Sequence, residues 1–191
     1  MRIHDELRGR LLNWAERIIS SRPPDFVVGE PGAVPYLQRW YLVKTRWGSL
    51  YLHKFCQSDD DRALHDHPYH NVSLVLSEGY YEVMRVKDAP LNLFNVKDHF
   101  FFEEVSEPFQ GAVIELKLIG VWTSEGTVRS RKATMPHRIE IIPDSNPVTL
   151  FFCGPRIREW GFWCPQGWVP WTKFVTQRLG GNSIGPGCEQ Q

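Results

Sequence analysis

Excess charge of one sign is the first thing this sequence lacks. Lys plus Arg and Asp plus Glu balance at 22 each over 191 residues, so there is no net field to grip nucleic acid or an anionic membrane. No apolar run reaches the roughly 20 residues of a spanning helix. The N-terminal MRIHDELRGRLL carries acids where a secretory leader would have an apolar core. A cytoplasmic protein with neither a nucleic-acid nor a membrane partner is expected. Cysteine is scarce: Cys56, Cys153, Cys164 and Cys188 are scattered and form no C-x2-C pair. That argues against a structural zinc cluster and predicts reduced thiols rather than a disulfide scaffold. There is no fixed-period repeat and no low-complexity tract. Strands do not alternate with many helices, which argues against an α/β fold.

What is present suffices for one domain: 42% hydrophobic residues can build a core, and the chain is too short to expect two. Ile3, Leu7, Leu11, Trp14 and Ile18 recur at helical spacing with charges between them, predicting an amphipathic helix from Ile3 to Ser20 that Pro23-Pro24 ends. Its stripe should pack on a sheet or on a second copy, and a homodimer is expected. Residues 1–30 thus read as helix and linker. From Pro31 the chain turns to short β-branched and aromatic runs punctuated by Gly, Pro, Asp and Asn. Strands are expected at Leu37 to Lys44, Ser49 to Cys56, Val72 to Leu76, Tyr80 to Val86 and Leu93 to Val96. Further strands are expected at His99 to Glu104, Ala112 to Ile119, Thr127 to Arg131, His137 to Ile142 and Val148 to Cys153. About ten strands suit an all-β jelly-roll barrel, here over residues 31–175. Trp160, Trp163, Trp168 and Trp171 crowd its last part, where they should seal the barrel or, alternatively, line a ligand. Residues 176–191, rich in Gly and polar groups, read as a flexible tail.

The stretch from Asp59 to Tyr81 organises the rest. His65 and His67 sit two apart, so on an extended segment both imidazoles project from one face, the spacing a metal asks of a strand. Pro68 sets a bend. Beyond it Val72, Leu74 and Leu76 alternate with Asn71 and Ser73, one face core and the other wetter, until Glu78-Gly79 turns the chain. A third imidazole is offered by His137, which shares a face with Ile139 and Ile141. His70 is a possible further ligand if the bend leaves the register unshifted.

These residues resemble the cupin superfamily, whose motifs read G-x5-H-x-H-x3,4-E-x6-G and G-x5-P-x-G-x2-H-x3-N. His65, His67, Gly79, Gly126 and His137 fall on motif positions without insertion or deletion. Asp59, Lys132, Thr134 and Ile141 depart from the pattern, and Val72 stands where the family places a glutamate ligand. The resemblance therefore implies a three-histidine site, as in cupins similar to thiol dioxygenases. HDHP followed by GPRIREWGFWCPQGW also resembles a group of uncharacterised bacterial and phage cupin-like proteins, which implies no activity.

Three neutral imidazoles would hold one divalent transition metal. Fe(II) is favoured, with Zn, Ni, Mn, Cu or Co also chemically possible. Such ligands leave the ion's double charge intact and positions open, which favours an anionic small-molecule substrate and, for iron, dioxygen. A hydrolase would need a base near the metal, and the two motifs offer no inward carboxylate. Asp66 lies next to His65 and not two beyond it, so the HxD pattern of 2-oxoglutarate oxygenases fails. Arg62, Arg85, Arg131, Arg156 and Arg158 could hold a carboxylate or phosphate, with Arg62 and Arg131 taken as substrate-binding candidates. The expectation is a three-histidine Fe(II) dioxygenase. The alternatives are a non-enzymatic ligand-binding or assembly module, and a sugar-nucleotide epimerase or isomerase that uses His as base.

Overall fold

The computed structural model describes residues 1–59, 63–88, 100–109, 112–164, 167–178, 181–185 and 187–188. Arg62 and the strand expected at Leu93 to Val96 lie outside them. Helix α1 (Asp5–Ser21) starts where the His4 ring accepts the Glu6 N–H at 3.4 Å and stops before Pro23-Pro24. Leu11, Leu12, Ala15, Ile18 and Ile19 pack on Trp40, Leu52, Leu76 and Val148, and Arg8 donates to the Leu76 carbonyl at 2.9 Å. The buried stripe is thus rotated from the expected one, leaving Leu7 and Trp14 exposed.

Among the described residues fifteen strands follow, interrupted by a 3-10 turn (Val86–Asp88) and a short helix. They are β1 (Phe26–Val28), β2 (Leu37–Thr45), β3 (Gly48–Phe55), β4 (Leu64–His65), β5 (Asn71–Ser77), β6 (Tyr80–Arg85), β7 (Phe100–Phe109) and β8 (Ala112–Thr123). After these come β9 (Val128–Arg131), β10 (His137–Glu140), β11 (Val148–Cys153), β12 (Gly161–Cys164), β13 (Gly167–Pro170), α2 (Trp171–Phe174), β14 (Val175–Arg178) and β15 (Gly181–Ile184). One sheet runs β14-β15-β1-β2-β3-β11-β5-β9 and the other β13-β12-β4-β10-β6-β8-β7. Strands β3 to β6 alternate between the sheets, and β8 to β11 alternate back. Each sheet therefore carries an interleaved four-strand core, β3-β11-β5-β9 against β4-β10-β6-β8. This is the double-stranded β-helix, or jelly roll. At the β5–β6 hairpin Glu78 and Gly79 both have φ of 63°, as a type I′ turn demands. A Cβ on Gly79 would lie 2.6 Å from the Trp122 ring, so this turn needs glycine for space as well.

Strand β5 has the expected apolar and wetter faces, but Val72, at the position of the family's glutamate ligand, is on the outer one. Ser73 lies opposite Phe151, which lines the interior, whereas Val72 lies opposite Phe152, which is exposed. Leu74 and Leu76 sit under α1, and Asn71, Ser73 and Val75 look into the barrel. The barrel interior is the wetter side here, because it holds a polar site.

The linker and tail also carry structure that composition did not signal. Strand β1 pairs antiparallel with β2 and parallel with β15, and β15 pairs with β14, so residues expected to form a tail extend a sheet. Pairing to an edge is a backbone property, which Gly, Asn and Ser satisfy without strong β propensity. Cys164 and Cys188 form a disulfide across 24 residues, correcting the expectation of reduced thiols, while Cys56 and Cys153 are free. Only folding brings β12 beside the C-terminal segment, so spacing could not reveal the pair. Cys188→Ser is expected to lower stability by roughly 2–4 kcal/mol through the freed loop. Thermal midpoints with and without reductant check this: the wild type should fall to the variant's value when reduced, and the variant should not change. Among the described residues no helix is long and apolar enough to cross a membrane.

Candidate metal centre

Antiparallel pairing sets His65 of β4 directly opposite His137 of β10, and His67 follows just beyond β4. One ligand atom from each of the three lies within 4.8 Å of the others, a group that could hold a metal ion. Their ring centroids are 4.9 to 5.2 Å apart. The Nε2 atoms of His67 and His137 face each other at 3.3 Å. Two nitrogens each about 2.1 Å from one ion stand roughly 3.0–3.4 Å apart, so this pair already has the separation of co-ligands.

Carboxylates stand behind two of the rings. His65 Nδ1 is 3.6 Å from Asp59, whose Oδ2 accepts the Ile139 N–H at 2.6 Å. His137 Nδ1 is 3.7 Å from Glu82 and has no hydrogen-bond partner among the described residues. Metal-binding imidazoles characteristically turn their second nitrogen toward such a group. Burial, followed by the positive charges of His137, His65, Arg131 and Arg39, holds His67 well below the ordinary histidine range. Burial, followed by Arg131 and His65, does the same for His137. Both rings are therefore neutral with free lone pairs at neutral pH.

Glu82 is the functional residue that the motifs missed. It lies on β6, outside both, and is fully buried. Its oxygens accept from Arg131 Nε, and from Arg131 NH2 at 2.8 Å. Burial alone would raise its pKa, but Arg131 and then Arg129 hold it below the usual glutamate range, as a carboxylate. The available signal was a single acid inside the apolar strand YYEVMR.

The other candidates are placed as follows. Arg131 lines the cavity, yet its guanidinium is bound by Glu82, by Ser73 at 2.8 Å and by Tyr80 at 3.4 Å. His70 is exposed, and its Nδ1 accepts the Ala133 N–H at 3.1 Å, so it does not join the other three histidines. Arg85 pairs with Asp88, Arg156 with Glu159 and Arg158 with Asp66. Asp66, fully buried between His65 and His67 in sequence, accepts from Gly161 N–H at 2.9 Å and Trp168 Nε1 at 3.1 Å, and not from either ring. That ties HDHP to the tryptophan-rich segment: Asp66 anchors β12 and β13 while its neighbours face inward. Gly161 allows the approach, since a Cβ there would lie 2.1 Å from the Val169 carbonyl oxygen.

The histidines open into a cavity of about 940 Å³, near the upper end of the size range of small-molecule sites. Phe162 stacks on Phe174 at 3.6 Å and Trp160 on Trp171 at 5.6 Å, all four in its wall. The tryptophans thus divide: Trp160 and Trp171 line the cavity, while Trp163 is partly exposed and Trp168 holds Asp66.

No protein-family model matches the chain. No curated protein matches it either. Its structural neighbours are double-stranded β-helix and cupin-like proteins. An uncharacterised conserved protein with a double-stranded β-helix domain from Klebsiella pneumoniae shares 12% identity, covering 72% of this chain and 90% of that one, with a TM-score of 0.40. A cupin-like protein from Thermotoga maritima shares 13%, covering 78% and 88%, at 0.39. A mutant Bacillus subtilis oxalate decarboxylase shares 14%, covering 76% of this chain and 31% of its own, at 0.41. Likeness at this level says nothing of activity, and the jelly roll rests on the strand order.

Proposed function

We propose that this protein is a metal-dependent enzyme, a three-histidine Fe(II) dioxygenase acting on a small anionic substrate. The observation that carries the reading is the convergence of His65, His67 and His137 on a roomy cavity, with His67 and His137 held neutral. When bound, the ion supplies a Lewis-acidic, redox-active centre with open positions. The chain's own part is to present three lone pairs, to hold Asp59 and Glu82 behind His65 and His137, and to line part of the cavity with aromatic rings. Asp59 with His65, and Tyr36 and Tyr69 in the same wall, also suit the epimerase-like alternative, in which a histidine is the base. That chemistry has no use for three converging imidazoles, and metal content separates the two.

The test is elemental analysis of untagged protein offered iron, zinc, nickel and manganese in turn without oxygen, followed by dioxygen uptake with a panel of organic anions. One ion per chain and substrate-dependent uptake by the iron form are expected. No stoichiometric metal would leave the ligand-binding module or the epimerase. Metal without uptake would remove the oxygenase. We extend the proposal to a homodimer, with Leu7 and Trp14 as the apolar surface that α1 leaves open. A persisting Cys164–Cys188 bond suits an oxidising compartment and bears against the cytoplasm.

A further inference from the structure

Arg39, on β2, lines the same cavity. Its Nε donates to His53 Nε2 at 2.8 Å, and its guanidinium carbon lies 5.4 Å from the centre of the Phe26 ring and 5.0 Å from that of Tyr51. Among the described residues no carboxylate pairs with it. The contrast with Arg131 is direct, since that guanidinium is bound by Glu82, Ser73 and Tyr80. Among the described residues nothing takes the two terminal NH2 groups of Arg39, whose plane lies against two rings and whose orientation is set by His53. A guanidinium so held is preorganised for two parallel bonds to a carboxylate.

Aromatic rings connect this guanidinium to the histidines. Ring contacts run from His53 to Phe151 at 4.8 Å and from Phe151 to His67 at 6.2 Å. On the far side His65 lies 5.9 Å from Phe162, which begins the surface continued by Phe174, Trp160 and Trp171. A chain of rings thus runs from His53, the partner of Arg39, past the histidines to Phe162 and the tryptophan pair.

We propose that the cavity binds an amphipathic organic carboxylate, its head on Arg39 and its apolar body along Phe162 and the Trp160–Trp171 stack. This deepens the enzyme reading by naming the substrate class of the same site, but it does not depend on the metal. The carboxylate would be placed by residues that the reaction does not consume.

The test uses the full-length chain stripped of metal by chelator, with 4-phenylbutyrate and its neutral isostere 4-phenylbutanamide measured by calorimetry. The acid is expected to bind at least about tenfold more tightly than the amide. Arg39→Met should abolish that preference, Arg39→Lys should keep part of it, and Phe162→Ala should weaken both ligands alike. Acetate and inorganic phosphate, which lack the body, should bind far more weakly than the acid. Equal binding of acid and amide, no binding of either, or phosphate binding as tightly as the acid would each overturn the proposal. So would a preference that survives in Arg39→Met with an unchanged melting curve. If Arg39→Met does not fold, Arg39→Gln replaces it and is read the same way. Because no metal is present, this result stands apart from dioxygen uptake: either proposal can fail while the other holds.

Discussion

His67→Ala is expected to leave the fold intact and to remove stoichiometric metal. The ring is half-buried against the cavity, and among the described residues its hydrogen-bond contact is the His137 nitrogen that it would share an ion with, so little of the barrel leans on it. Deleting it leaves two imidazoles, which rarely hold a borderline ion against water and buffer. Removing a group that merely supports a ligand already costs about 10–100-fold in affinity, so losing a ligand should cost more than roughly 100-fold. Competition with a chromophoric chelator measures this, and elemental analysis gives the stoichiometry. Val72→Glu serves as the control. The family pattern puts a ligand there, but the side chain shares the outer face with Phe152, so the affinity should not change. Metal retained by His67→Ala would place the site elsewhere.

Glu82→Ala should cost more stability than any surface change, about 3–5 kcal/mol, because it strands the buried Arg131 charge. Ser73 and Tyr80 would remain as partners, but neither carries a charge to compensate the guanidinium. For a domain of this size that loss lowers the thermal midpoint by roughly 6–20 °C. The double variant Glu82→Met with Arg131→Met should recover much of it, since an apolar pair of similar volume asks for no desolvation of charge. Thermal and urea denaturation of the single and double variants close the cycle. A double variant no better than Glu82→Ala would mean that the network also positions His137, and its metal affinity would then fall with its stability.

How much of this was legible depended on whether local chemistry or long-range register carried the information. His65, His67 and His137 were readable because period-two spacing survives into an extended segment, and a strand ending at His65 pairs naturally with one beginning at His137. The Glu78-Gly79 turn was readable because its backbone demands it. Val72 was misread because the family pattern puts a ligand there, whereas the alternation of the strand turns it to the outer face. Glu82 and Arg39 were invisible as site residues because a charge in a strand has the same spelling whether it faces solvent or a cavity. Their burial was decided by β6 and β2 taking interior positions, which no local pattern specifies.

The sequence by itself determined the all-β class, the leading helix, the positions of most core strands and the imidazole trio, because propensity, turn chemistry and alternation act over a few residues. Only the tertiary structure decided that Asp66 anchors the tryptophan-rich hairpin and that the last strands close onto β1. It also decided that Cys164 meets Cys188, that Arg39 meets His53 in the cavity, and that Phe162 meets His65. These are contacts between residues far apart in the chain. Their free energy comes from burial and charge pairing that exist only once the two sheets have closed around a common interior.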